Sequence, residues 1–212
     1  MTVEQWMAND EAGIQQFWEL ALALKRVRRQ GWIDRGVDAP ESVADHSWGV
    51  ALLAWLASHG RADLDRNRVL LLGLAHDLPE AIAGDATPFD DTRDAGRRID
   101  ARRFLELPAY SAAALRGKRD EEARALAELI SGLPRGVAEE LRAAWIEYER
   151  QETVEARFVK QIDKLETLLQ ARAYGAAQPE LIIESFRLGA QRDVSDPALR
   201  RIARLDEPEP GG

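Results

Sequence analysis

Two of the three histidines in this 212-residue chain stand beside aspartates, in the pairs Asp45-His46 and His76-Asp77. An imidazole and a carboxylate on a buried helix face have two uses. They hydrogen-bond within the core, or they converge on a divalent cation. Either use fits each pair taken singly, and the recurrence on consecutive helices favours the cation. Helical spacing places His46 on one face with Val43, Val50, Leu53, Ala54 and Ala57, and places His76, Asp77 and Glu80 on or beside the stripe of Val69, Leu72 and Gly73. A carboxylate one turn beyond His76 can orient or deprotonate a water whose pKa a cation lowers, or it can simply end a helix before the Gly84-Asp85 turn. Asp163, beside Ile162 at the margin of another apolar stripe, either pairs with Arg157, Lys160 or Lys164 or joins the cation. The run Lys25, Arg26, Arg28, Arg29 leads into Gly31-Trp32. Guanidinium groups grip phosphate and an indole offers a flat face to a base or sugar, although cations at a helix C-terminus also favour its dipole. His59, next to Gly60, reads as a helix-end residue.

Composition narrows the chemistry. There is no cysteine, which excludes disulfides, thiolate nucleophiles, thiolate zinc sites and iron–sulfur clusters. A metal must then be held by His, Asp and Glu, a set suited to a mid-hardness divalent ion. The net charge is −8, a field that disfavours nucleic acid as a partner yet leaves room for a small anion where positive charge is local. Met1 to Glu11 is acidic and lacks the apolar region of a signal peptide, and no apolar run approaches the roughly 20 residues of a membrane span. A cytoplasmic protein with no membrane partner is expected.

The elements that must carry these residues are helical. Ile14, Phe17, Trp18, Ala21, Leu24 and Val27 predict a first amphipathic helix that stops near Gly31. Glu41 to Ser58 predicts a second, and a third runs from an N-cap at Asp65 toward Asp77 or Glu80, with Pro79 expected to kink or restart it. Ala86 to Gly117 reads as a surface excursion, a lid or insertion over about 90–117 with a helical stretch around Ala95 to Leu105. Further helices are expected over Lys118 to Ser131, Arg135 to Arg150 and Thr153 to Tyr174. The last carries Val154, Phe158, Ile162, Leu165 and Leu169 as its core stripe. A shorter helix after Pro179 and one over Pro197 to Ala203 precede a frayed tail, Glu207 to Gly212. No linker or repeat is visible, so residues 1–212 read as one domain with its core over about 14–190.

Together these residues resemble the HD-domain phosphohydrolases, whose H…HD…D signature is matched by His46, His76-Asp77 and Asp163. More narrowly, the chain is similar to the branch of HD-domain 5′-deoxynucleotidases. That likeness lies in LKRVRRQGW (Leu24 to Trp32), PESVADHS (Pro40 to Ser47), LAHDLPEAIAGDATP (Leu74 to Pro88) and EARFVKQIDKLETLLQA (Glu155 to Ala171). The resemblance implies an all-α HD-domain helical bundle and a homodimer. It implies one divalent metal ion per subunit (Co²⁺, Mn²⁺, Fe²⁺, Zn²⁺ or Mg²⁺) held by His46, His76, Asp77 and Asp163. It also implies hydrolysis of (deoxy)nucleoside 5′-monophosphates to nucleoside and phosphate by attack of metal-bound water. Glu80 would position or activate that water, and Asp85 would contact the sugar hydroxyl or assist proton transfer. Arg29 and Trp32 would bind phosphate and help select the sugar.

Two features depart from the pattern of the bacterial nucleotidases. Gly31 occupies the place of an Arg directly before the Trp, with Arg29 as the substitute, and the stretch from about Asp90 to Gly117 is longer than the family's. A nucleoside triphosphate or another phosphate ester is the alternative substrate within the enzyme class. Outside it stands a nucleotide-sensing metal-binding module, against which Glu80 and Asp85 argue because a binder needs no water-activating acid. Two-iron oxygenases of the same fold need further histidines, and only His59 remains.

Overall fold

Phe158, Val159, Ile162, Leu165 and Leu168 recur at helical spacing along Val154–Ala177, and all are buried. Each such side chain contributes about 1.5–3 kcal/mol when withdrawn from water, so this helix is the axis on which the others pack. The structure is a computed structural model and describes residues 3–90 and 99–207. In chain order its helices are α1 (Val3–Ala21), α2 (Gln30–Ile33), α3 (Val43–Ala57), α4 (Arg66–Ala75) and α5 (Glu80–Ala83). After them come α6 (Ala112–Leu129), α7 (Arg135–Arg150), the axial α8 (Val154–Ala177), α9 (Glu184–Asp193) and α10 (Pro197–Ile202). Short 3₁₀ turns occupy Leu22–Lys25 and Ala101–Leu105. Among the described residues no strand forms, and no helix is long and apolar enough to cross a membrane. The fold is all-α, as the helical periodicity predicts.

The main core joins α3, α4, α7 and α8 through Val50, Ala54, Val69, Leu72, Ala144 and Tyr148. The α3–α4 contact depends on Gly73. A Cβ there would sit 2.8 Å from the Ala51 Cα, so only glycine lets the two backbones approach this closely. That approach brings the N-terminal half of α3 against the C-terminal end of α4, the two places that carry the histidines.

Local signals account for several helix starts. Asp65 caps α4 by accepting from the Asn67 and Arg68 backbones, and Asp196 and Thr153 cap α10 and α8 in the same way. Pro79 divides α4 from α5, and the helix restarts at Glu80. The first helix departs from expectation at both ends. It begins at Val3 and gives way to the 3₁₀ turn after Ala21, and Ile14 and Trp18 are exposed rather than core. Beyond Lys25 the chain extends and pairs antiparallel with the segment before α3. Arg29 N donates to Glu41 O at 3.0 Å and Val43 N donates to Val27 O at 2.9 Å. A tertiary backbone pairing thus replaces the helix, which residue spacing alone cannot register. The helix expected from Lys118 starts earlier, at Ala112, where Ser111 caps it. Of the stretch expected to be helical over 95–105, residues 95–98 lie outside the described residues and Ala101–Leu105 is 3₁₀. Of the tail, 208–212 also lie outside them.

Candidate active site

A capping box starts α3. The Ser42 side chain accepts from Asp45 N at 3.1 Å, and Asp45 accepts from Ser42 N at 2.8 Å. Asp45 therefore fixes the helix start, and the residue after it, His46, points inward with no exposed surface. His76 and Asp77 follow directly on the last turn of α4, where the Gly73 carbonyl accepts from His76 Nδ1 at 2.8 Å. Asp163 comes from the middle of α8.

Three of these side chains, His46, His76 and Asp77, offer donor atoms within 4.8 Å of one another, and Asp163 adjoins them through His46. The two imidazole rings lie 5.4 Å apart. His76 Nε2 is 3.2 Å from Asp77 Oδ2, and His46 Nε2 is 3.7 Å from the same oxygen and 3.3 Å from Asp163 Oδ1. Both Nε2 atoms are buried without a hydrogen-bond partner, while both Nδ1 atoms are engaged, that of His46 with Glu166 Oε2 at 2.5 Å. Two orphaned imidazole nitrogens facing two carboxylates form an arrangement that a divalent cation satisfies, and the residues present fit such an ion. Asp163 makes the ion pair that is one of its two expected uses and also turns toward His46. Oδ1 faces His46, while Oδ2 accepts from Tyr148 Oη and Lys164 Nζ, each at 3.0 Å.

Charge follows from the same contacts. Burial would raise Asp77, but His76, His46 and Arg29 hold it far below the usual carboxylate range. Burial acts likewise on Asp163 and is overcome by Lys164, His46 and Lys160. For His46, burial and Arg29 favour the neutral ring, and the Asp163 and Glu166 carboxylates outweigh them, raising its pKa to about 9. Both aspartates are thus ionised, and His46 offers Nε2 to a cation by giving up its proton.

A cavity of about 380 Å³ opens over this cluster. Arg29 reaches into it, with Nη1 3.2 Å from Asp77 Oδ2 and Nε 3.8 Å from Asp85 Oδ2, so the extended pairing of Arg28 with Ser42 is what aims it. Of the basic run only Arg29 turns inward. Lys25 lies over the Trp18 ring, and Arg28 donates to the Pro40 carbonyl. Asp85 also lines the cavity and accepts from Gln30 N at 2.6 Å, which caps the short helix α2. Glu80 is 4% exposed; its Oε2 has no partner and its Oε1 is 3.7 Å from Lys118 Nζ. Burial, then Asp77 and Asp85, push its carboxyl well above the ordinary range, against Arg29 and Lys118. Trp32 is not an open platform. Its ring is 1% exposed, wedged against Tyr174 and Phe186, with Nε1 donating to Glu41, so it forms pocket wall.

Spacing left several residues unremarked. Lys118 pairs with Glu122 as well as Glu80, and the i,i+4 placement of that pair on α6 was its only signal. Glu166 follows Asp163 by one helical turn. Arg35 stacks between the Phe104 and Phe186 rings at 4.2 and 4.1 Å and donates to Ser185 Oγ, a contact across most of the chain that no local pattern announces. Leu107, Pro108 and Tyr110 from the excursion also line the cavity.

Known proteins resemble this chain in sequence and in fold. The HD domain family profile matches residues 21–198. The 5′-deoxynucleotidase HDDC2 of Mus musculus is 37% identical over 163 residues, covering 77% of this chain and 70% of that protein. Its Homo sapiens counterpart is 37% identical over 159 residues, covering 75% and 67%. Among solved structures, a conserved hypothetical protein of Pyrococcus furiosus aligns with a TM-score of 0.66 and 27% identity, covering 89% of this chain and 95% of that one. A predicted metal-dependent phosphohydrolase of Magnetospirillum magnetotacticum MS-1 aligns with a TM-score of 0.63 and 26% identity, covering 93% and 94%. The chain belongs to the HD domain family, among relatives named 5′-deoxynucleotidases.

Proposed function

We propose that this protein hydrolyses deoxynucleoside 5′-monophosphates to nucleoside and phosphate, using one divalent ion held by His46, His76, Asp77 and Asp163. The observation that carries the reading is the pair of partnerless, buried Nε2 atoms facing two carboxylates at the floor of a cavity that Arg29 and Glu80 also line. Relatives named for this activity, more than a third identical over three quarters of the chain, support the substrate class. An ion bound there would neutralise phosphate charge and acidify water, and Co²⁺, Mn²⁺, Fe²⁺, Zn²⁺ and Mg²⁺ all remain candidates for a donor set of this kind.

The chain's own groups supply the rest. Arg29, kept cationic beside Asp77 and Asp85, offers its guanidinium to the phosphate. Glu80, whose buried carboxyl holds a proton more readily than usual, receives one from the attacking water. Asp85 braces Arg29 and α2, and from the cavity wall it would contact the sugar hydroxyl or assist proton transfer. Phe89, Leu107 and Phe186 give the nucleoside an apolar enclosure, and Trp32 shapes the wall behind it. A cavity of about 380 Å³ suits a mononucleotide better than a nucleic-acid strand.

Phosphate release from a panel of deoxy- and ribonucleoside mono-, di- and triphosphates tests this, with Co²⁺, Mn²⁺ or Mg²⁺ and with a His76→Ala control. Orthophosphate from deoxynucleoside monophosphates is expected. Pyrophosphate or triphosphate release would move the substrate assignment, and no release above the control would leave a nucleotide-binding module.

The same reading takes residues 1–212 as one HD domain with its core over about 14–190 and the excursion as its roof. It places the protein in the cytoplasm with the nucleotide pool, and as a homodimer. Trp48, Leu52, Trp55 and Leu56 form an exposed apolar stripe on the outer face of α3, the face such a dimer would cover. Light scattering of wild type and Leu56→Glu checks it, with a dimer expected to become a monomer.

A further inference from the structure

We propose that Glu166 is the positioning residue for His46, and that Gly49 is glycine to give Glu166 its place. The inference rests on the reading of His46 as a metal ligand. Glu166 lies one turn after Asp163 on α8, so a single helix presents one carboxylate toward the ion and a second behind the imidazole. Its Oε2 is 2.5 Å from His46 Nδ1, and its side chain is 12% exposed. The contact holds the proton on Nδ1, directs the Nε2 lone pair at the cluster of Asp77 and Asp163, and makes the ring a stronger donor.

Two further observations single out Glu166. The first is Gly49, one helical position short of a full turn after His46. A Cβ at Gly49 would fall 2.7 Å from Glu166 Oε1 and 3.2 Å from its Cδ and Cγ. The carboxylate therefore lies directly against the α3 backbone, in space that any other residue at position 49 would take. The second is Glu41, the acid other than Glu166 that lies near this imidazole without being a proposed metal ligand. Its Oε1 accepts from Trp32 Nε1 at 2.9 Å while its own backbone N–H donates to Tyr174 Oη at 2.8 Å, so it is committed to the pocket wall. Glu41, His46 and Glu166 offer donor atoms within 4.8 Å of one another. With Nδ1 closed by its hydrogen bond, that group supports His46 rather than forming a second cation site.

Gly49→Ala separates a positioning role from a merely structural one. Alanine favours a helix interior by about 0.8–1.0 kcal/mol over glycine, and the atoms it displaces are the far end of a flexible side chain. The substitution should therefore push Glu166 off His46 while leaving the metal-stripped protein folded and α3 helical. The experiment is a titration of the metal-stripped full chain with Co²⁺, followed by its visible absorption, with melting temperatures recorded before and after loading. Glu166→Ala and Gly49→Ala are expected to weaken Co²⁺ binding by roughly 10–100-fold, the range for lost support behind a ligating histidine, and to shrink the Co²⁺-induced rise in melting temperature. Glu166→Gln, which keeps an acceptor without the charge, should recover part of the affinity. His46→Ala should abolish binding. Wild-type affinity in both Glu166→Ala and Gly49→Ala, with His46→Ala inactive in binding, would overturn the role of Glu166 and leave the metal site standing. Failure of the wild type to bind Co²⁺ would overturn both.

Discussion

The floor and the roof of the cavity are built in different ways. The floor is carried by three helices, α3, α4 and α8, locked together by buried Val50, Leu72, Ile162 and Leu165 and by the close approach at Gly73. His46, His76, Asp77 and Asp163 ride on elements that could not shift without opening the core. The roof is a 3₁₀ turn and a loop after it. It is tied down by the Tyr110 hydroxyl donating to Ala86 O at 2.6 Å, by Arg35 between Phe104 and Phe186, and by the Phe89–Phe104 ring contact at 5.5 Å. Rigid helices hold charged groups at fixed separations, as catalysis by preorganised charge requires, and a lightly tied loop can be altered without loss of the fold. Under the proposed function the floor would set the reaction, and the roof would set which phosphate ester is accepted and how tightly.

The largest expected effect comes from the floor. Glu80→Gln should lower kcat by about 10²–10⁴-fold, the usual contribution of a positioned general base, while Co²⁺ affinity and KM stay near wild type. Steady-state kinetics beside a metal titration checks this; a parallel loss of metal would make Glu80 a ligand instead.

A pH profile sharpens the same point. Glu80 must be ionised to accept a proton, and burial with Asp77 and Asp85 nearby raises its pKa. Activity should therefore climb with pH on the acid side, through a value above that of an ordinary glutamate. Lys118, 3.7 Å away, opposes that rise. Lys118→Met removes the opposition, so the acid limb of the kcat profile should move to higher pH. A limb that stays in place would separate Lys118 from the proton step.

Changes to the roof should be smaller and of another kind. Tyr110→Phe deletes one hydrogen bond, worth about 0.5–1.5 kcal/mol, and is expected to raise KM by roughly 2–10-fold with kcat little changed. Arg35→Met should act in the same direction and broaden the range of esters hydrolysed, since it loosens the contact of Phe104 with α9. A fall in kcat without a rise in KM from either variant would erase the distinction between floor and roof.

The same division governs what the sequence reveals. His46, His76 and Asp77 stand out because regular helices convert spacing into facing, and a polar residue on an apolar stripe is conspicuous. Asp163 has two readings from its neighbours and enters as a ligand only through the family resemblance. In the structure one of its oxygens meets Lys164 and the other faces His46. Arg29 is visible as one of a basic run, yet its selection over Arg28 depends on the backbone pairing of 27–29 with 41–43, a long-range event without periodicity. Ile14 and Trp18 mislead for the converse reason. Their spacing is amphipathic, but α1 packs at the edge of the bundle, where Phe17 alone of that stripe joins the cluster of Leu126, Ile130 and Trp145. Glu166 hides among many acids on charged helices, and only the imidazole behind which it sits marks it.

The claim on which the rest depends is that His46, His76, Asp77 and Asp163 hold a catalytic divalent ion for hydrolysis of deoxynucleoside 5′-monophosphates. Its most direct test strips the protein of metal, restores Co²⁺, and follows orthophosphate from a deoxynucleoside 5′-monophosphate in wild type and His76→Ala. The account predicts no release before Co²⁺ is added, release equal to the nucleoside formed afterwards, and none from His76→Ala at any Co²⁺ concentration. Release by the stripped wild type, or undiminished release by His76→Ala, would contradict it.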